Sequence, residues 1–385
     1  MSVSTRQPVL VVAGMSVRAL AESARQAGWD VVALDLFGDL DTRRASRRWL
    51  RIGEPADLAI DPQRLRTALA EASAEPGVVG WVAGSGFEAD PSLLACGEPH
   101  RLPLLGMDAD AVAAVRDARR FFAVLDRHAL PHPPTVFAPP VPAHGWLAKR
   151  AGGSGGWHIR DAAALGAPSP DTYWQRLQPG TPMSALFVAD GRRARVVALN
   201  RLLVQPVGGH PHVYAGAIGP IADAALHEAA ERALEALVPA FALRGLGSLD
   251  FIAAHGRPWW LEVNPRPSAS MLLHAQAWPE GLVHAHVQAV QGRLPAAAPC
   301  HRPGVRGHRI VFAPHAGRLD AAQAARLADC TDCHDLPAGP AQFARGEPVC
   351  SVSAEAADAD AVNQRLRQRC AQVASRLTAL EEIPS

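Results

Sequence analysis

Short apolar runs separated by helical stretches fill the first 107 residues, and this alternation constrains the fold more than any other feature of the chain. Residues 8–13 (PVLVVA) read as a buried strand. Residues 17–28 (VRALAESARQAG) follow with helical periodicity, and Gly28 can close that helix in a left-handed conformation. Residues 29–37 (WDVVALDLF) read as a second strand, 61–77 as a helix, 78–86 (VVGWVAGSG) as a third strand and 101–106 (RLPLLG) as a short fourth. Strands alternating with helices predict a doubly wound parallel sheet. Ligands of such sheets bind beyond the carboxyl ends of the strands. That places Gly14, Ser16, Gly84, Ser85, Gly86 and Glu88 at a candidate ligand edge.

The pattern then changes. Residues 108–130 predict one long amphipathic helix with Asp108 as its N-cap. The proline-rich stretch 131–145 breaks regular structure and marks a boundary. Residues 172–203 read as strand, turn, strand with a hairpin at Asp190–Gly191. Residues 223–241 predict a helix, and 245–268 two strands around His255–Gly256. Residues 270–292 read as two helical pieces; after about residue 300 come short strands and a final helix near 356–380. The expected division is an N-terminal α/β domain (1–107), a linker helix (108–133), a small subdomain (134–190), a large subdomain (191–299) and a C-terminal α+β region (300–385).

Composition excludes several functions. A net charge of +1 over 385 residues argues against nucleic acid as a partner. No run of eighteen apolar residues is present, so no membrane span is expected. The N-terminal apolar run is brief and reads as a first strand rather than an export signal, which predicts a cytoplasmic protein. Cys96, Cys300, Cys330, Cys333, Cys350 and Cys370 are scattered and form no disulfide framework.

Lys149 is the only lysine; the other cations are arginines. It precedes Gly152-Gly153-Ser154-Gly155-Gly156, a loop able to turn backbone N–H groups toward phosphate oxygens. The order of lysine and glycines matches neither a P-loop nor a kinase glycine loop. A second group lies in GSLDFI and WLEVNPRPS. Asp250 and Glu262 fall on paired strands, and Glu262, Asn264 and Arg266 at alternate positions share one face. Such hard oxygen donors suit Mg²⁺ shared with substrate phosphates, and Arg266 can offset charge on a transferring phosphoryl group.

With these residues in place, the chain resembles the ATP-grasp superfamily of ATP-dependent ligases, over most of its length. The resemblance implies an N-terminal domain, a two-part ATP-grasp fold and a mechanism in which a carboxylate is phosphorylated and then captured, often by an amine. It implies that Lys149 and the loop from Gly152 to Gly156, Ser154 included, hold ATP phosphates. Gln175, Arg176, Leu177 and Gln178 would line adenine, mostly through backbone groups. Asp250, Glu262 and Asn264 would bind Mg²⁺, with Mn²⁺ as a substitute, and Arg266 with Lys149 would carry catalysis. Three positions depart from the family pattern. A phosphate-binding lysine expected near the linker helix is absent, so that Arg116, Arg119 or Arg120 serves in its place, or nothing does. The hinge acid is Gln175, and the ribose-contacting acid is Pro182.

The implied partners are a small carboxylate and an amine, with a homodimer as a further expectation. The segments YAGAIGP (214–220) and PVCSV (348–352) resemble a branch tied to the biosynthesis of one-carbon carrier cofactors such as methanofuran-like compounds. A biotin-carboxylase-like activity and an inactive nucleotide-binding regulator are the competing readings. CTDCH (330–334) fits a haem-attachment pattern and, with Cys350, a zinc site, although ordinary thiols are the expected reading. His210, His212 and Tyr214 mark a candidate substrate-facing loop, whereas His284 and His286 face different sides of a helix.

Overall fold

The computed structural model describes residues 7–296 and 303–379. Cys300 and the boundary expected at 299/300 lie outside the described residues.

The N-terminal unit runs β1 (Val9–Ala13), α1 (Arg18–Gln26), β2 (Asp30–Asp35), α2 (Leu40–Ala45), β3 (Arg48–Arg51), α3 (Pro62–Ser73) and β4 (Val78–Ala83). Its parallel sheet has the order β3-β2-β1-β4. Every residue of β1 is buried, as both faces of a doubly wound sheet require. The expected strand at 101–106 makes only a single bridge, Trp81 to Leu104. The fourth strand is instead β3, Arg-Trp-Leu-Arg, whose two apolar residues are adjacent and show no alternation. Asp35 ends β2 and accepts from the backbone of Val17 and Gly38 and from the Trp49 indole, which fixes the loops beyond the sheet.

The single helix expected at 108–130 is two: α4 (Ala109–Arg116) and α5 (Ala118–Arg127). Asp108 caps α4 as expected, accepting from the Ala111 N–H. The break falls at Asp117, whose carboxylate accepts the N–H groups of Arg119 and Arg120 and so starts a second helix. Phe121 and Phe122 of α5 pack on Phe241 and Tyr173, joining the linker to a later helix and to the small sheet.

A small sheet follows, of β5 (Thr135–Val136), β6 (Trp146–Arg150), β7 (Arg160–Asp161) and β8 (Thr172–Arg176), in the order β5-β8-β6-β7. Next come β9 (Thr181–Asp190), β10 (Ala194–Val207), β11 (His210–Gly219), α6 (Ala224–Phe241), β12 (Arg244–Ala254), β13 (Arg257–Asn264), a 3₁₀ stretch (Ala269–Ala277) and α7 (Leu282–Val290). The C-terminal part holds β14 (Val305–Phe312), β15 (Gly317–Leu319), α8 (Ala321–Ala328), β16 (Cys333–His334), β17 (Ala341–Phe343), β18 (Pro348–Ala356), α9 (Ala359–Ala374) and β19 (Thr378–Ala379).

The large sheet has eight strands in the order β13-β12-β9-β10-β11-β14-β18-β16. Two expected boundaries therefore fall differently in this sheet. β9 pairs with β10 and β12, so the small sheet ends at Arg176 rather than at residue 190. β14, β18 and β16 extend the same sheet from the C-terminal region. Arg18 of α1 reaches that region too, pairing with Asp335 at 2.5 Å.

Candidate active site

The hairpin of β12 and β13 sets Asp250 directly opposite Glu262, and Ser248 opposite Asn264. One extra residue, Leu261, bulges from β13 just beyond the acidic pair. The Asn264 amide nitrogen donates to Asp250 Oδ2 at 3.0 Å, while Asp250 Oδ1 is buried with no hydrogen-bond partner. Burial and the neighbouring Glu262 charge push Asp250 up to about 7. Burial also acts to raise Glu262, but the charges of Arg116, His158 and Lys149 hold it below the ordinary carboxylate range. An orphaned carboxylate oxygen beside a second carboxylate and an amide is a donor set that fits a hard divalent cation, so Asp250, Glu262 and Asn264 suit Mg²⁺.

Lys149 approaches from β6 of the small sheet. It is 7% exposed, and its Nζ donates to Gln175 Oε1 at 2.7 Å. Burial lowers its pKa, and the Glu262 charge only partly offsets that. Gln175 in turn donates to Thr135 Oγ1 at 3.1 Å, so its side chain serves the lysine. At the hinge, Arg176 N–H donates to Pro134 O and Leu177 N–H to Gly145 O. The ladder position that would donate back to the Arg176 carbonyl is Pro134, which has no N–H. No β5 N–H therefore reaches the Arg176 carbonyl. Leu177 lies exposed beside it, and the Gln178 side chain bonds locally to Pro179 O. Pro182 lies on β9, opposite Ile252.

The glycine loop is pressed between elements. A Cβ at Gly153 would strike the His158 ring, and one at Gly156, where φ is +78°, would sit 1.9 Å from the His212 carbonyl oxygen. Only glycine fits such positions. Gly155 O accepts the Tyr214 N–H at 2.9 Å. Gly152 packs against Ala89 of the N-terminal unit, while Ser154 is partly exposed.

The segment expected as a substrate-facing loop is strand β11, which carries His210, His212 and Tyr214 and is irregular between His210 and Val213. His210 Nδ1 contacts Trp157 O at 2.7 Å and its ring meets Arg160. The Tyr214 hydroxyl pairs with His308 Nε2 at 2.8 Å. Burial and the Asp250 charge raise the Tyr214 phenol above its usual range.

Arg266 Nε donates to Glu88 Oε1 at 2.8 Å. Glu88 also accepts the Gly86 N–H, so a strand-end loop of the N-terminal unit orients Arg266. Burial would raise Glu88, yet the adjacent Arg266 charge prevails and lowers it. Of the three arginines offered in place of the missing lysine, Arg116 alone is buried at the site, 2.9 Å from Glu262. Arg119 lies over the Phe137 ring and Arg120 is exposed.

Two residues escaped sequence reasoning. His158 sits among Glu262, Lys149 and Arg116, with burial lowering its pKa to about 4. Tyr173 faces Lys149 across the β6–β8 ladder. The chain holds just two tyrosines, both beside the acidic pair, and that scarcity was the available signal. Cys330, Cys333 and His334 assemble no metal site: among the described residues, no group of three or more His, Cys, Asp or Glu can hold an ion. His334 bonds to Ser353, and Cys333 and Cys350 sit in an apolar core.

Residues 115–270 match the family described as an ATP-grasp domain. Biotin carboxylase from Campylobacter jejuni superposes with a TM-score of 0.69 at 14% identity, covering 92% of this chain and 89% of the other. N5-carboxyaminoimidazole ribonucleotide synthetase from Thermus thermophilus gives 0.63 at 18% identity, covering 98% and 99%. The Aspergillus clavatus N5-carboxyaminoimidazole synthase, in complex with ADP and 5-aminoimidazole ribonucleotide, gives 0.69 at 13% identity, covering 96% and 99%. These likenesses show a shared fold. No curated protein matches the sequence.

Proposed function

Residues 115–270 belong to the ATP-grasp superfamily, and from that premise we propose that this protein is an ATP-dependent ligase joining a carboxylate to an amine through an acyl phosphate. The observation that carries the reading is the meeting of the only lysine with the orphaned Asp250 oxygen across a glycine loop. Lys149 and the loop N–H groups hold the phosphates. Asp250, Glu262 and Asn264 would hold Mg²⁺, or Mn²⁺ in its place, which would supply charge that neutralises the phosphates. Arg266, aimed by Glu88, offsets the charge that builds on the transferring phosphoryl group.

The substrate carboxylate oxygen bonds to the γ-phosphorus and the bond to ADP breaks. The amine nitrogen then bonds to the acyl carbon, phosphate leaves with the C–O electron pair, and the amine proton is lost to solvent. An amine acceptor is supported by the Aspergillus neighbour, whose complex holds a small amine together with ADP. We assign the product to one-carbon carrier biosynthesis on the branch resemblance. Accumulation of an unligated carrier precursor in a deletion strain tests that assignment.

The central test is a screen of small acids and amines for ADP and phosphate release, with hydroxylamine added to trap the acyl phosphate as a hydroxamate. AMP and pyrophosphate as products overturn the reading. Similarity to biotin carboxylase motivates one alternative, with bicarbonate as the acid. ADP release that needs bicarbonate and free biotin, and no other acid, would favour it. Nucleotide binding without turnover across the whole panel would favour a regulatory protein.

A further inference from the structure

Arg116 is the one buried arginine of the three considered near the linker helix, where the resemblance implies a phosphate-binding lysine, and its contacts are of another kind. A guanidinium has five N–H donors in a rigid fork. Here Nε donates to Ala151 O at 3.0 Å, and Nη2 donates to Ala151 O and Gly153 O, both at 2.6 Å. Nη1 donates to Glu262 Oε2 at 2.9 Å and to Val263 O at 3.4 Å. Five contacts account for five donors, and none is left for a phosphate. The side chain is 8% exposed.

We propose that Arg116 is a positioning residue: it pins the base of the glycine loop to the carboxylate Glu262, so that the loop and the metal ligands keep one geometry. This inference rests on the functional reading above for what the loop holds. It also follows from the chain's own architecture. Arg116 is the last residue of α4, and the Asp117 break turns the chain there. A helix continuing through 117 would carry the side chain along its own surface. Instead the fork enters the seam between the small sheet with its glycine loop, the lid in the functional reading above, and the hairpin, and ties Ala151 and Gly153 to Glu262 and Val263. Lysine cannot replace it, because an ammonium has three donors radiating from one point and cannot bridge two loop carbonyls and a carboxylate over this span. Lys149, whose hydrogen-bond partner in the site is the neutral Gln175, then keeps its charge for phosphate.

The test compares wild type with Arg116→Lys and Arg116→Gln in the full chain. Without nucleotide, amide exchange over residues 151–156 should rise about tenfold or more in both variants, while exchange in β1 and β4 stays unchanged. Binding of Mn²⁺·ATP, followed by electron paramagnetic resonance, should weaken by a similar factor in both. Arg116→Lys should give no rescue. Loop exchange in Arg116→Lys equal to wild type overturns the pin, and so does wild-type affinity in that variant. If wild type itself binds no Mn²⁺·ATP, the functional reading fails instead, and the exchange result still decides the pin. Arg116→Gln guards against a merely misfolded lysine variant.

Discussion

The hairpin that bears Asp250 and the lid that bears Lys149 are built on opposite principles. β12 lies between β9 and β13, so Asp250 is registered against Ser184 on one side and Glu262 on the other. Its position is set by two ladders before any ligand arrives. The lid sheet has short strands, and its glycine loop owes its place to partners elsewhere: Arg116, the Tyr214 N–H and the His212 backbone. The residues we propose as metal ligands are therefore preorganised, whereas the proposed grip on phosphate would depend on how the glycine loop is held. A molecule arranged this way can bind a cation in an open state and exclude water only when closed.

That contrast can be broken at either end. The largest effect should come from the hairpin. Asp250→Asn or Glu262→Gln should lower ADP release roughly a thousandfold, as loss of a metal ligand removes charge stabilisation worth several kcal/mol. Asp250→Asn should also leave loop exchange over 151–156 as in wild type; loosening there would show that the two regions are not separable. Next in size, Lys149→Arg conserves charge but replaces a compact ammonium with a planar fork. It should cost about a hundredfold in turnover. Full activity in that variant would mean that the lid supplies only a field. Gly156→Ala sharpens the comparison further: its Cβ would meet the His212 carbonyl, so the lid should undock. Loop exchange should rise about tenfold, with Mn²⁺ affinity in the absence of nucleotide kept.

The smallest effect lies in neither region. His286 accepts the Leu246 N–H at Nδ1 and contacts Leu105 O through Nε2, so the ring is neutral. Burial lowers its pKa to about 4. Unfolded histidine titrates near 6.5, so this ring's contribution to stability is complete above about pH 6.5 and is lost as pH falls toward 4. A series of melting temperatures across that window should show a shallower slope for His286→Gln, with turnover near pH 7.5 little changed. An identical slope would show that the ring does not report on the attachment of α7 to β12.

The same contrast explains what could be read from the sequence. The hairpin was legible because its chemistry and its geometry share one stretch: alternation puts 262 and 264 on one face, and His255–Gly256 fixes the pairing. Lys149 and its glycines were legible by residue type, and the ATP-grasp resemblance follows from the two together. The pin was not, since Arg116 looked like one of three equivalent arginines on a continuous helix. Only the Asp117 cap distinguishes it, and an acid within a helical pattern carries weak information. β3 was missed because a four-residue edge strand with adjacent Trp49 and Leu50 between arginines lacks apolar alternation. The C-terminal strands were seen, but not their pairing with β11, which depends on contacts far apart in sequence.

A last consequence follows from the lysine census. An endoprotease that cleaves after lysine has a single bond to cut in this chain, the one between Lys149 and Arg150. That bond ends a paired strand, and the lysine side chain is bound to Gln175. The protein thus carries its own gauge of lid position: how fast one chain becomes two fragments measures how often the site stands open.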